Sequence, residues 1–196
     1  MSDQVIPVFP LYTVLFPGGP LPLRVFEPRY LDMISRCLRT GSDFGVCLIR
    51  EGAEVGEAAS TYEVGTTARI VDWHQRQDGL LGITVHGGRR FRVVNETIQP
   101  NQLLTAEVDY LPEASPVTLP EEFAGLADIL RDMMGRLHQR YARLDAHYDD
   151  ADWVSHRLAE VLPLGLAQKQ YFLQLDDPLE RLERLEAVLE TLELQY

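Results

Sequence analysis

Lysine is almost absent from this chain: Lys169 stands alone against 17 arginines. A phosphate-cradling P-loop needs Gly-x-x-x-x-Gly-Lys followed by Ser or Thr, so that the lysine reaches the phosphates and the hydroxyl holds Mg²⁺. Lys169 is followed by Gln170, and no glycine pair precedes it at that spacing. A Ser–Lys hydrolase would have to recruit the same lysine as its base, and no Gly-x-Ser-x-Gly elbow is present. Cysteine is nearly as scarce. Cys37 and Cys47 form no Cys-x-x-Cys pair and read as buried thiols in a reducing compartment, so the cytoplasm is the expected location. No apolar run approaches the roughly 18 residues of a membrane span, and the N-terminus lacks the basic-then-apolar pattern of a signal peptide. Neither a membrane partner nor a leader is expected.

Positive charge is short overall. The net charge is −12, with residues 1–111 carrying 13 acids against 10 arginines and residues 112–196 carrying 17 acids against 8 bases. Phosphate backbones are bound by Lys and Arg clusters that release counterions, so nucleic acid is disfavoured as a partner.

What is present divides into two halves. Residues 1–111 are rich in Gly, Val, Thr and short apolar runs, whereas 121–196 are rich in Leu, Glu and Arg at helical spacing. The three prolines Pro112, Pro116 and Pro120 forbid regular helix between them, so 112–120 reads as a linker or an extended strap. In the first half, Ile6 to Phe16 is expected to be a strand at a sheet edge, broken by Pro7 and Pro10. Phe16 to Pro20 forms a turn, and Leu21 to Val25 returns extended. Pro28 opens a helix, with Leu31, Ile34 and Leu38 as its apolar stripe and Gly41 at its end. Phe44 to Ile49 is a strand apolar enough for burial on both faces. Thr66 to His74, Leu80 to His86, Arg89 to Ile98 and Leu103 to Tyr110 are further strands, with hairpin joints at Asp78-Gly79 and Gly87-Gly88. The class is α+β: a small, curled, mostly antiparallel sheet with one helix, closed or nearly so, and then a helical bundle. There, Glu121 to Tyr148 is expected as one long helix. Asp152 to Leu162, Leu166 to Leu175 and a final helix capped by Asp177 and Pro178 follow, the last with a core stripe of Leu182, Leu185, Leu189 and Leu192.

Few constellations carry chemistry. His138, His147 and His156 are nine apart, which on one helix is half a turn out of register. His74 and His86 lie on neighbouring strands, and no metal is expected from either set. Asp149, Asp150 and Asp152 read as a helix cap rather than an acid–base cluster. In Arg89-Arg90-Phe91-Arg92, alternation puts Arg90 and Arg92 on one solvated face and Arg89 with Phe91 on the other. Neither cysteine has a neighbouring base to activate it. Catalytic residues, metals and cofactors are all expected to be absent.

The motifs Ile6-Pro7-Val8-Phe9-Pro10-Leu11, Leu15-Phe16-Pro17-Gly18 and Pro22-Leu23-Arg24-Val25-Phe26-Glu27-Pro28-Arg29-Tyr30 resemble the opening of the N-terminal, substrate-binding domain of Lon proteases. Val64 to Ile70, Asp78-Gly79 through Val93, and Lys169-Gln170 with Arg181-Leu182 resemble its later blocks, in order and over nearly the whole chain. The resemblance implies a PUA-like β-barrel lobe (1–111), the strap (112–120) and a helical lobe (121–196), standing alone without the ATPase and peptidase domains. It implies a non-catalytic module that binds unfolded or extended polypeptide, with an adaptor for a protease or chaperone in protein quality control as the expected role. The alternatives are a PUA-like binder of a small ligand or nucleic acid, or an unrecognised hydrolase. Charge argues against nucleic acid and the missing dyad against hydrolysis. The oligomeric state stays open, with a monomer favoured.

Recognition is expected at exposed apolar residues on the barrel rim, Phe16, Pro20, Leu80 and Leu81, with strand addition at an unpaired edge as a second mode. Phe26 and Tyr30 are expected to anchor the helix start in the core. Glu27 and Arg29 should then face outward beside the Gly18-Gly19 turn as partner contacts. An exposed Phe26 would instead belong to the site.

Overall fold

A computed structural model describes residues 4–113, 115–142 and 144–193, and all their side chains except those of residues 138, 192 and 193. The readings of the extreme N-terminus, of His138 and of Leu192 lie outside what is described. The chain divides into two compact units, 1–111 and 112–196, each with its own secondary structure.

The first unit is a seven-stranded, mostly antiparallel sheet with one helix. Its strands are β1 (Gln4–Leu11), β2 (Pro20–Val25), β3 (Phe44–Glu51), β4 (Ser60–Thr61), β5 (Val64–Gln75), β6 (Leu81–Ile98) and β7 (Leu104–Tyr110), with α1 at Pro28–Thr40. The order is β1-β7-β6-β5-β3-β4, with β2 on β6. β1 also pairs β3 in parallel, so the pairings return on themselves. β1 is therefore not an edge strand. Its β7 pairing covers Gln4 to Val8 and its β3 pairing Val8 to Leu11, so Pro7 and Pro10 each have a neighbour on one side only. The other side takes the missing N–H without losing a ladder bond.

Two cores flank β1 and β3. Phe9, Leu11, Phe44 and Val46 join α1 in one, and Ile6, Val8 and Cys47 join Phe91 and Val108 in the other. That is why β3 is apolar on both faces. Phe91 is fully buried in a cradle of glycine: a Cβ on Gly45 or Gly65 would lie 2.7 Å from its Cζ.

The helix α1 begins at Pro28 and ends at Gly41, whose φ of 65° is the left-handed cap that glycine favours. Its buried stripe is Tyr30, Met33, Ile34 and Cys37, while Leu31 and Leu38 are exposed. The expected stripe is thus rotated, because the aromatic Tyr30, stacked on Phe9 with centroids 3.9 Å apart, sets the face.

Asp78-Gly79 is the expected hairpin: Gly79 has φ 79°, and Arg76 N–H donates to the Leu80 carbonyl at 2.8 Å. Gly87-Gly88 is not. The two expected strands are one 18-residue strand, β6, and neither glycine has a positive φ. The Gly87 requirement is tertiary. A Cβ there would lie 2.1 Å from the Phe16 carbonyl oxygen, since the 16–19 turn docks through Gly18 N–H to Gly87 O and Gly87 N–H to Gly19 O, at 2.8 and 2.9 Å.

The second unit holds a 3₁₀ turn (Glu121–Phe123), α2 (Ala124–Arg136), α3 (His138–Tyr141), α4 (Ala151–Val161), α5 (Leu166–Gln174) and α6 (Pro178–Glu193). The single long helix expected from Glu121 breaks at Leu137, which leaves helical geometry and donates to both Met133 and Met134 carbonyls. Such shared bonds tighten a helix end, and Gly135 weakens the last turn further. Asp150 caps α4 by accepting from Asp152 N–H at 2.9 Å, and Asp177 accepts from Leu179 N–H at the start of α6. The Val117–Leu119 part of the strap belongs to this unit, bonding to Ala151 N–H and Asp149 O at 2.9 and 2.8 Å.

α4 packs against α2, α5 and α6, and its interior is unusually polar. Arg181, fully buried, donates to Asp152, Ser155 and the carbonyls of Phe172 and Leu175. One guanidinium thereby joins α4, the end of α5 and α6. Arg157 pairs with Glu160, which also accepts from Tyr141 OH at 2.8 Å.

Candidate functional site

In the strand unit, a groove of about 370 Å³ lies between β1, β2, the start of α1 and the loop after β3. Its lining includes Phe9, Leu11, Leu21, Leu23, Phe26 and Tyr30, with Arg24, Glu27, Glu54 and Val55. Sequence explains each placement. Alternation along β2 shares Leu21 and Leu23 with the core below. Pro28 is the first helical residue and Glu27 the N-cap, so Phe26 precedes the helix and the four-residue helical spacing to Tyr30 does not apply to it. Phe26 is 47% exposed, whereas Tyr30 is 4% exposed; the expected anchoring holds for Tyr30 and fails for Phe26, which moves to the site. Burial of the Tyr30 phenol pushes it up to about 12, so it stays neutral on the groove floor.

Arg29 was expected to face outward and instead is buried. At the second helical position it turns under the chain, where it donates to the Gln102 carbonyl at 2.7 Å and pairs with Glu27 at 3.1 Å. Arg29 positions Glu27 rather than lining the groove. The loop after β3 closes one side: Tyr12 N–H donates to Glu54 at 2.6 Å and Tyr12 OH to the Gly52 carbonyl, bringing Val55, 55% exposed, beside Phe26.

The expected rim residues do not gather here. Phe16 is fully buried and Pro20 is buried, because the turn between them is pinned to Gly87. Leu80 and Leu81 are half-buried in the β5–β6 hairpin, Leu81 packing against the α1 core. Of Phe16, Pro20, Glu27, Arg29, Leu80 and Leu81, only Glu27 lines the groove, beside Phe26. Glu54 and Val55 escaped sequence reasoning, since a polar 51–60 stretch carries no periodic signal for where it folds back.

β2, and β5 beyond Ala68, pair on the β6 side only, and both edges are poor in donors. Gly87 N–H reaches the Gly19 carbonyl, so odd-numbered residues of β2 face β6 and Pro20, Pro22 and Arg24 face away. Two of those three have no N–H. β5 pairs β3 only through Ala68. Beyond it, Arg76 N–H faces β6, so Trp73 and Gln75 face away, and the Trp73 N–H is already held by the Asp72 carboxylate at 2.9 Å. Strand addition is blunted at both edges.

Other candidate residues fall apart. Arg90 is buried and Arg92 exposed, although the two keep one regular register opposite Thr66 and Val64, so the solvated face expected for both holds for Arg92 alone. The ring of His74 lies over Gly82, not His86. No group of three or more metal-ligating side chains gathers among the described residues. Both thiols are buried, Cys47 pushed up to about 12 by burial. Lys169 donates its Nζ to the Glu160 carbonyl at 2.6 Å, and burial lowers its pKa. No helix among the described residues is long and apolar enough to cross a membrane.

Fold and groove define an α+β protein with a side-chain-lined cleft on a strand unit, followed by a helical unit. The chain belongs to the Lon substrate-binding domain family: the model of the ATP-dependent protease La (LON) substrate-binding domain matches residues 5–191. A Lon N-terminal domain protein from Xanthomonas campestris, known from its crystal structure, is 41% identical, with a TM-score of 0.79 over 94% of this chain and 98% of that one. The N-terminal domain of Mycobacterium avium complex Lon protease shares the fold, with a TM-score of 0.65 at 21% identity over 93% of this chain and 96% of that one. Lon protease of Parabacteroides distasonis is 28% identical over 95% of this chain. The chain spans about a quarter of that relative's length, 24%. The substrate-binding domain thus accounts for nearly all of these 196 residues.

Proposed function

We propose that this chain is a non-catalytic module that binds unfolded or extended polypeptide through the β1–β2–α1 groove, and that it serves protein quality control as an adaptor for a protease or chaperone. The observation that carries the reading is Phe26, a large aromatic 47% exposed on a cleft of mixed apolar and charged lining, in a family of substrate-binding domains. A rigid aromatic over a desolvated pocket is the usual form of a binding anchor. Leu23 and Val55 extend the apolar surface, Glu27 stands at the rim, and Arg29 holds Glu27 in place. With donors scarce at the nearby edges, recognition falls to side chains. The net charge of −12 supports polypeptide over nucleic acid. The engagement of the single lysine with a backbone carbonyl supports an inert role. The ring of strand pairings supports the PUA-like description of 1–111, and the proline spacing supports a boundary within 112–120.

The test is fluorescence anisotropy with a labelled unfolded polypeptide, with and without ATP, and product analysis of the same samples. Saturable binding, indifferent to ATP and without cleavage, is expected, and Phe26→Ala should weaken it by about 5- to 30-fold, the usual range for an interface anchor. Because Phe26 is exposed, the variant should unfold within about 1 kcal/mol of wild type. Cleavage abolished by one point substitution would overturn the reading, as would wild-type binding by the variant.

A further inference from the structure

In the helical unit, α5 and α6 both pack on α4, and a groove of about 500 Å³ lies between them, sharing no residue with the strand-unit groove. Helical spacing builds its two banks. Ala167 and Tyr171 of α5 are four residues apart, as are Arg184 and Val188 of α6, so each pair stands on one face of its helix. Leu182 and Leu185 take the buried face of α6, which turns Arg184, Ala187 and Val188 toward the groove. With an alanine on each bank, the trough is open to close approach.

The apolar surface is ordered before anything binds. Tyr171, 42% exposed, stands edge-on to the buried Phe172, with ring centres 5.5 Å apart. Arg184 lies 5.6 Å from the Tyr171 ring and donates through Nε and Nη2 to Glu180 at 3.0 and 2.7 Å. The banks are tied to each other, because Arg181 of α6 donates to the Phe172 and Leu175 carbonyls. Little ordering is left for a partner to impose.

Backbone chemistry and charge say what fits. Both walls are helices, whose N–H and C=O groups are spent internally, so an extended chain finds no ladder here, whereas a helix brings its own bonds satisfied. The lining spans residues 167–172 of α5, about 8 Å along its axis, room for about two apolar side chains one turn apart. The banks differ in charge. α5 carries one charged residue, Lys169, whose Nζ is turned onto the Glu160 carbonyl. Of the two arginines of α6, Arg181 is buried and paired with Asp152, and Arg184 is balanced by Glu180. Glu183 and Glu190, four before and three after Ala187, stand exposed on the same bank, so the α6 side is acidic and the α5 side neutral.

We propose that this groove docks an amphipathic helix of a partner protein. Apolar residues at i and i+4 of that helix seat against Tyr171, Ala187 and Val188, and lysine or arginine on one flank faces α6. The site lies on the helical unit and does not rest on the polypeptide reading of the strand-unit groove.

The probe is a fluorescent peptide cross-linked into a helix, with leucines four apart and a row of lysines along one flank; its counterpart carries glutamates in their place. Anisotropy with the full chain should show saturable binding of the lysine form, about tenfold or more tighter than the glutamate form and weakened by salt. Backbone NMR shifts should fall at Tyr171, Ala187 and Val188. Ala187→Arg fills the trough and should weaken binding by about tenfold, with an unchanged urea midpoint because Ala187 is exposed. Glu183→Gln together with Glu190→Gln should narrow the difference between the two peptides. No saturable binding, equal affinity of the two forms, shifts confined to the strand unit, or wild-type binding by Ala187→Arg would overturn the proposal.

Discussion

Acid should loosen the helical unit well above the pH at which carboxylates titrate, because of one histidine. His156 sits on α4 at 3% exposure, with its Nδ1 3.4 Å from Asp152. Burial, and then the charges of Arg181 and Arg157, push its pKa down to about 4, although Asp152 pulls the other way. Asp152 itself is pushed up by burial, but its contacts with His156 and Arg181 prevail and hold it well below the usual carboxylate range. The folded imidazole is therefore neutral where the unfolded one, with its pKa near 6.5, takes up a proton. The unfolded chain binds the extra proton, so stability is full above about pH 6.5 and falls as pH drops from there to about 4. Between pH 7 and 5 the linkage amounts to about 2 kcal/mol.

Trp153, edge-on to Tyr148 with ring centres 5.1 Å apart, reports this unit alone once Trp73 is replaced by Phe. Urea unfolding of that variant, followed by Trp153 fluorescence at pH 7, 6 and 5, should show the loss. Adding His156→Asn should flatten the slope even if it lowers stability throughout. Equal slopes with and without His156, or no loss between pH 7 and 5, would refute the reasoning.

Gly65→Ala should destabilise the strand unit by about 3 kcal/mol, at the upper end of overpacking costs, since its Cβ would lie 2.5 Å from Cys47 Sγ and 2.7 Å from Phe91 Cζ; thermal unfolding would show it. Cys37 and Cys47, both buried and with burial raising both pKa values, should stay unreactive toward a thiol reagent at pH 8 until the chain is denatured, when both should titrate.

What the sequence made legible was local. Pro28 and Gly41 delimit α1 because each acts through its own φ, and Asp150 and Asp177 cap helices two residues away. What it hid was tertiary. Gly87 looks like a hairpin glycine and is there because the Phe16 carbonyl presses against it. Pro7 and Pro10 suggest an edge, but a strand that changes partner at Val8 hides both. Phe26 and Tyr30 look like one helical face until the helix is found to start between them. In the groove lining, Glu27 stands where its position just before Pro28 suggested an exposed helix start. Glu54 and Val55 were not legible, because only the fold-back held by Tyr12 brings them to the groove.

The donor-poor edges bear on how such a protein treats its partners. A ladder of backbone bonds accepts almost any extended chain, and a long open edge also invites self-association. Pro20 and Pro22 on β2, and the Asp72 carboxylate on the Trp73 N–H, blunt that route on both sides of β6. On the function proposed above, a cleft floored by Phe9, Leu11 and Tyr30 would select instead for apolar side chains, which folded proteins bury and unfolded ones present. A glycine–serine polymer of equal length should therefore bind far more weakly than an apolar unfolded chain, and measurement of the two by anisotropy separates the routes. Equal affinity would show that backbone pairing, and not the groove, does the holding.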